Sequence, residues 1–193
     1  MVAAMAWLIV GLVLFLGIHT LSTAPSARAA LIGRLGEGPY KGLYSLVALA
    51  GLVLIVLGFG AYRSAGYVQV WTPPFPIFHP IALALLWLAF VALVAAYAPA
   101  SRIKHLLRHP MLVGVKAWAL AHLLVNGDLG SMLLFGGLLI WAVYDRISLK
   151  RRGDGGAPAV DWSKNDLLVV VIATLAYAAM FWLHDTLIGV TAA

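Results

Sequence analysis

The sequence predicts an all-α fold, a polytopic bundle of about six transmembrane helices. Three observations predict it: composition, the length of the apolar runs and the placement of basic residues. Of 193 residues, 63% are hydrophobic and 10% charged, and the mean hydropathy is +0.98, a balance foreign to water-soluble domains. Apolar segments lie at 3–21, 41–61, 79–98, 110–125, 128–147 and 166–190, to be judged against the about 20 residues that a bilayer crossing needs. Of the 13 Lys and Arg, 11 fall in three loops between these segments, which reads as a topology signal and not as a nucleic-acid surface. No internal repeat or soluble domain interrupts the chain, so 1–193 reads as a single domain.

Taken in order, the first segment resembles a signal peptide only at its end, where Ser26-Ala27-Arg28-Ala29 has the small residues of a cleavage site. No Lys or Arg precedes its long apolar run, so it is expected to remain as an uncleaved span. The loop Tyr67 to Phe78 carries Trp71-Thr72-Pro73-Pro74-Phe75-Pro76, aromatics suited to an interfacial belt on a stretch stiffened by proline. The fourth segment has only sixteen residues, about 24 Å of helix against a core of about 30 Å. Segments four and five are therefore expected to form a short hairpin, turning at Asn126-Gly127, where both residues tolerate positive φ. Pro110 suits the first helical position and drives His109 into an extended conformation, making His109 a cap. Asp128 is the expected N-cap of segment five. Residues 148–165, with Lys150-Arg151-Arg152-Gly153-Asp154-Gly155-Gly156, read as a flexible basic loop. Gly51, Gly58, Gly136 and Gly137 read as packing devices.

The basic loops hold Arg28, Arg34 and Lys41; Arg102, Lys104 and Arg108; and Arg146, Lys150, Arg151, Arg152 and Lys164. By the positive-inside rule they are cytoplasmic, which puts both termini outside. The histidines then sort into two layers: His19, His105 and His109 on the cytoplasmic side, and His79, His122 and His184 toward the outer side. Two facing pairs follow, His19 with His109 and His122 with His184.

With no cysteine, disulfides and thiolate metal sites are excluded, and histidine is the strong nitrogen ligand left. Two neutral imidazoles from different helices can ligate haem iron axially between apolar helix faces. Arg102, Lys104 and Arg108 stand at the boundary where propionates would emerge. The plainer reading is that a histidine near a span end hydrogen-bonds a backbone carbonyl or a neighbouring helix. Lys116, inside segment four, is either a functional cation, a haem or substrate partner, or a snorkelling lysine. His105 and His109 have i, i+4 spacing, but Pro110 argues against a continuous helix through them and so against a zinc pair. Asp185 either orients His184 or pairs with it at the interface. No phosphate loop, nucleophile elbow or HExxH pattern is present, which leaves hydrolase and ATPase readings unsupported.

The run Arg108-His109-Pro110-Met111, Gly114, Lys116, Trp118-Ala119, Ala121-His122-Leu123-Leu124 and Asn126-Gly127-Asp128 resembles the core signature of the NnrU family of bacterial membrane proteins. Gly17-Ile18-His19 and Leu183-His184 with Gly189-Val190 extend the resemblance to nearly the whole chain. That family is associated with denitrification, and it is similar to the zeta-carotene isomerase, which uses haem b to isomerise a central cis double bond. The resemblance implies haem b with His19 and His109 as ligands, and a functional role for His122. It also implies an inner-membrane location, and as ligand an apolar polyene or nitric oxide. The chain departs from the isomerase in lacking any cysteine for ligand exchange, and in Asp185, where many relatives have proline. Two functions are thus expected: a haem-dependent cis–trans isomerase-like enzyme or nitric oxide sensor, or a non-enzymatic assembly factor for respiratory reductases.

Overall fold

The structure, a computed structural model, describes residues 2–190. It is all-α: helices α1 (Val2–Thr20), α2 (Pro25–Leu35), α3 (Glu37–Ser64), α4 (Phe75–Tyr97), α5 (Arg102–Leu107), α6 (Pro110–Val125), α7 (Leu129–Arg151) and α8 (Lys164–Ile188), with a 3-10 turn at Leu21–Thr23 and no strand among the described residues. Five helices, α1, α3, α4, α7 and α8, are long and apolar enough to cross a membrane, and α6 is a shorter apolar helix. All six apolar segments are therefore helical, each within a few residues of its expected bounds. The helices form two compact units, Met1–Pro73 with Asn126–Leu149, and Pro74–Val125 with Lys150–Ala193.

In the first unit α1 and α3 run antiparallel with their backbones in contact. A Cβ on Gly11 would lie 2.6 Å from the Ile55 nitrogen, one on Gly51 2.7 Å from the Phe15 nitrogen, and one on Gly58 would overlap the Leu8 backbone. Lipid gives apolar side chains no reason to leave it for one another, so close backbone packing supplies the attraction that larger residues would prevent. Of the four glycines expected to pack, Gly51 and Gly58 do so, and Gly137 makes ordinary contact with Leu16. Gly136 has open space beside it and is not a packing position. The α7 helix joins the unit through Phe135, set edge-on to Phe59 at 6.4 Å, and through Gly130, where a Cβ would strike the ring of the fully buried Tyr62. At the other end of α7, Ser148 Oγ donates to the Thr23 carbonyl at 3.2 Å. That bond gathers Arg28, Arg34, Lys41 and Arg146 at one end of the unit.

The turn 126–128 differs from expectation in its physics. Neither Asn126 nor Gly127 has positive φ. Gly127 is required instead because a Cβ there would run into the Trp71 carbonyl, whose segment docks on the turn: Val70 and Trp71 donate to the Gly127 carbonyl at 2.9 and 3.1 Å, and Leu129 donates to Val68 at 2.9 Å. Tyr62 pins the same segment, its hydroxyl accepting from the Val68 N–H at 2.9 Å. Asp128 caps α7 as expected, accepting from the Ser131 N–H at 2.9 Å.

In the second unit α4 packs on α6 and α8. Small residues are buried on both helices: Ala82, Ala89, Ala92 and Ala95 of α4, and Ala117, Ala119 and Ala121 of α6. Gly114 lets the Leu93 side chain lie against α6. Val91, Ala95, Val169 and Ala173 form a core between α4 and α8. The short helix α6 packs on α4 within this unit. The N-terminus of α8 is a capping box made by Ser163 and Asp166, and Asp166 Oδ1 also accepts from the Ile103 N–H at 2.8 Å. Arg102, Lys104, Arg108, Arg152 and Lys164 thereby collect at one end. The α7 helix runs on to Arg151, so the loop expected at 148–165 is shortened to 152–163, and part of it is docked, not flexible.

Candidate functional site

His19, the one histidine of the first unit, sits in the last turn of α1. Its Nδ1 lies 2.6 Å from the Phe15 carbonyl, one helical turn back. Since a carbonyl can only accept, Nδ1 carries a proton and donates it there. Among the described residues Nε2 has no hydrogen-bond partner. Phe15 lies 4.2 Å from the imidazole, centroid to centroid, with Tyr44 of α3 at 5.4 Å and Trp141 of α7 at 5.7 Å, both edge-on. The Trp141 Nε1–H is buried without a hydrogen-bond partner, which is uncommon for a buried donor. Asp145, one turn further along α7, is buried in the same neighbourhood, within electrostatic range of Tyr44. Tyr40 lies 6.2 Å from Tyr44 and carries Arg28 over its ring.

A histidine with Nδ1–H given to a carbonyl and no hydrogen-bond partner at Nε2 among the described residues is arranged as metal-ligating histidines are. His19 thus fits an axial ligand of haem, and the rings around it fit the flanks of a macrocycle. The orphaned indole N–H would find its acceptor in a bound polar group. Sequence reasoning identified His19 but missed Tyr44, Trp141 and Asp145. Asp145 was detectable, as an acid inside an apolar segment.

The other expected residues belong to the second unit. His109 caps α6, its carbonyl accepting from the Val113 N–H at 3.2 Å. Its Nε2 faces the loop, 3.3 Å from the Asp154 carbonyl and 3.7 Å from the Asp154 carboxylate. The helix breaks before it, since α5 ends at Leu107, and this separates His105 from His109 as expected. His105 Nδ1 instead meets the Ala157 carbonyl at 3.0 Å. Arg108 forms the corner with an exposed side chain. Lys104 is not turned toward a ligand: Nζ donates to the Ala96 and Ala98 carbonyls at 3.0 and 2.9 Å, closing the end of α4. Lys116 is half-buried midway along α6 and has partners there.

Toward the opposite end of this unit His122 and His184 come within electrostatic range of each other. Each is anchored through Nδ1, His122 to the Trp118 carbonyl at 2.8 Å and His184 to the Val190 carbonyl at 2.6 Å. His79 stacks on Phe75 at 4.4 Å. Asp185 makes no ion pair with His184 among the described residues; its carbonyl accepts from the Gly189 N–H at 2.8 Å and ends α8. No group of three or more His, Asp or Glu able to hold a metal ion occurs among the described residues.

Fold and site together define an all-α membrane protein with several spans and a histidine set among aromatic rings. The model of the NnrU family, described as NnrU protein, matches residues 7–192, across both units. The chain belongs to the NnrU family. No curated protein and no solved structure gives a significant match.

Proposed function

We propose that this NnrU-family protein binds haem b and that His19 would hold its iron. The observation that carries the reading is the His19 imidazole itself, fixed through Nδ1 and open at Nε2 within an aromatic enclosure. The family resemblance adds His109 and His122 as further functional residues. Bound haem would supply a redox-active iron. The chain's part is to hold the imidazole tautomer through Phe15, to exclude water with Tyr44 and Trp141, and to offer the indole N–H to a polar edge of the group. An apolar polyene or nitric oxide suits such a half-buried aromatic site, giving a haem-dependent isomerase or a sensor.

The basic ends of the two units support an inner-membrane protein with those ends cytoplasmic and both termini outside. Reporter fusions after Arg152 are then active in the cytoplasm and those at the C-terminus outside it; the reverse pattern overturns the orientation.

One observation favours a second reading. His19, His105, His109, His122 and His184 all bond backbone carbonyls, as structural histidines do, and this suits a non-enzymatic assembly factor for respiratory reductases. Colour separates the two. Membranes from overexpressing cells are red, with a haem b spectrum that sharpens on dithionite reduction, under the first reading; under the second they are colourless even after haem is supplied.

A further inference from the structure

The end of the second unit that holds α5 carries an unbalanced charge. Residues 98–109 and 150–166 contain seven Lys and Arg against three acids, Asp154, Asp161 and Asp166. Two of these acids are spent inside the fold. Asp166 accepts from the Ile103 and Ser163 N–H groups at 2.8 and 2.9 Å, and Asp154 accepts from the Gly156 N–H at 2.8 Å and lies beside His109. Among the described residues Arg102, Arg108 and Lys164 make no ion pair with an acid. The side chains of Arg108 and Lys164 are exposed and that of Arg102 is half-buried.

The bonds that tie this end together also gather the three cations. Asp166 fastens the start of α8 to Ile103, next to Arg102, and Asn165 Nδ2, next to Lys164, donates to the Ala100 carbonyl at 2.9 Å. Arg108 follows at the far end of the six-residue α5, about 9 Å along the helix. This short helix has the make-up of one lying in a headgroup layer. Ile103 and Leu107 pack against the core of α4 and α8, whereas Leu106 is 57% exposed, and so are Tyr97 (83%) and Trp162 (67%) on either side of it in this unit. Exposed apolar and aromatic side chains beside cations suit the boundary between acyl chains and headgroups.

The backbone at Arg108 is a separate observation. Its φ of 60 and ψ of −61 make the sole positive φ outside glycine among the described residues, and the His109 N–H bonds the Leu107 carbonyl at 2.7 Å. This is a γ-turn of the rare, strained hand. Glycine would make the turn at less cost, so an arginine held there has a use for its side chain.

We infer that Arg102, Arg108 and Lys164 form a seat for the headgroup of an anionic phospholipid. The guanidinium groups take phosphate oxygens through paired N–H donors, Lys164 adds a point charge, and Leu106 and Trp162 lie along the upper part of the acyl chains. The seat belongs to the second unit alone and does not depend on haem.

Thermal unfolding of the full-length protein in a neutral detergent tests this, with phosphatidylglycerol, phosphatidylcholine or free glycerol 3-phosphate added. Phosphatidylglycerol is expected to raise the midpoint of the wild type by about 5 °C when well above its dissociation constant, and the other two to leave it in place. Arg102→Gln combined with Lys164→Gln removes most of that rise, and Arg34→Gln in the first unit keeps it. Arg108→Gly unfolds at a higher temperature than wild type without lipid, because the strain is relieved, and yet gains less from phosphatidylglycerol. This variant decides the matter alone if the double variant fails to fold. No rise in the wild type, an equal rise with phosphatidylcholine or with glycerol 3-phosphate, or an undiminished rise in Arg108→Gly overturns the seat.

Discussion

His19 of the first unit and the pair His105 and His109 of the second are held in different ways. In the first, His19 gives one nitrogen to its own helix and keeps the other open among Phe15, Tyr44 and Trp141. In the second, His105 and His109 spend ring nitrogens on loop carbonyls, which holds a strained corner in place. The interfaces differ in parallel. The α1–α3 pair brings backbone against backbone through glycine, whereas α4 and α6 meet through alanines and a single Gly114 that faces a leucine side chain.

Gly58→Leu should have the largest effect. The obstacle is the Leu8 backbone, which cannot rotate away, so about 3 kcal/mol or more of destabilisation is expected. Thermal unfolding in detergent would show loss of a folded protein. Gly114→Ala sharpens the comparison between the units, because its obstacles are chiefly the Leu93 side-chain carbons at 2.8 and 2.9 Å. A shift of about 1 kcal/mol is expected; a loss equal to that of Gly58→Leu would remove the distinction between the two interfaces. Asp128→Ala deletes the cap on α7 and should lower stability by about 1 kcal/mol, measured as the midpoint of the same unfolding transition. Trp141→Phe is the smallest. It removes an N–H that lacks a partner, so haem-free protein should be unchanged or stabilised by up to about 1 kcal/mol. A clear loss of stability would mean that the indole nitrogen has a structural task.

Much of the fold is legible in the sequence because membrane helices declare themselves by length and composition. The six apolar segments, the Pro110 start of α6 and the Asp128 cap follow from local rules that no distant contact overrides. The role of Gly127 is different: an Asn-Gly pair reads as a positive-φ turn, but the requirement comes from the Trp71 carbonyl, more than fifty residues earlier in the chain. Likewise the polar stretch after α7 reads as flexible, since its docking depends on carbonyl–imidazole contacts with residues near 105–109 that carry no periodic signal. At the site, His19 stands out as an ionisable residue in an apolar run. Tyr44 and Trp141 do not, because aromatic residues are ordinary in membrane helices and only the packing of three helices puts them against one imidazole.

The most direct test of the central claim is the absorption spectrum of the purified protein, oxidised and dithionite-reduced, with haem quantified per chain, for wild type, His19→Ala and His105→Ala. The account predicts a stoichiometric haem b spectrum in wild type, its loss in His19→Ala and its retention in His105→Ala. Haem retained undiminished in His19→Ala, or no haem bound by the wild type even after reconstitution, would contradict it.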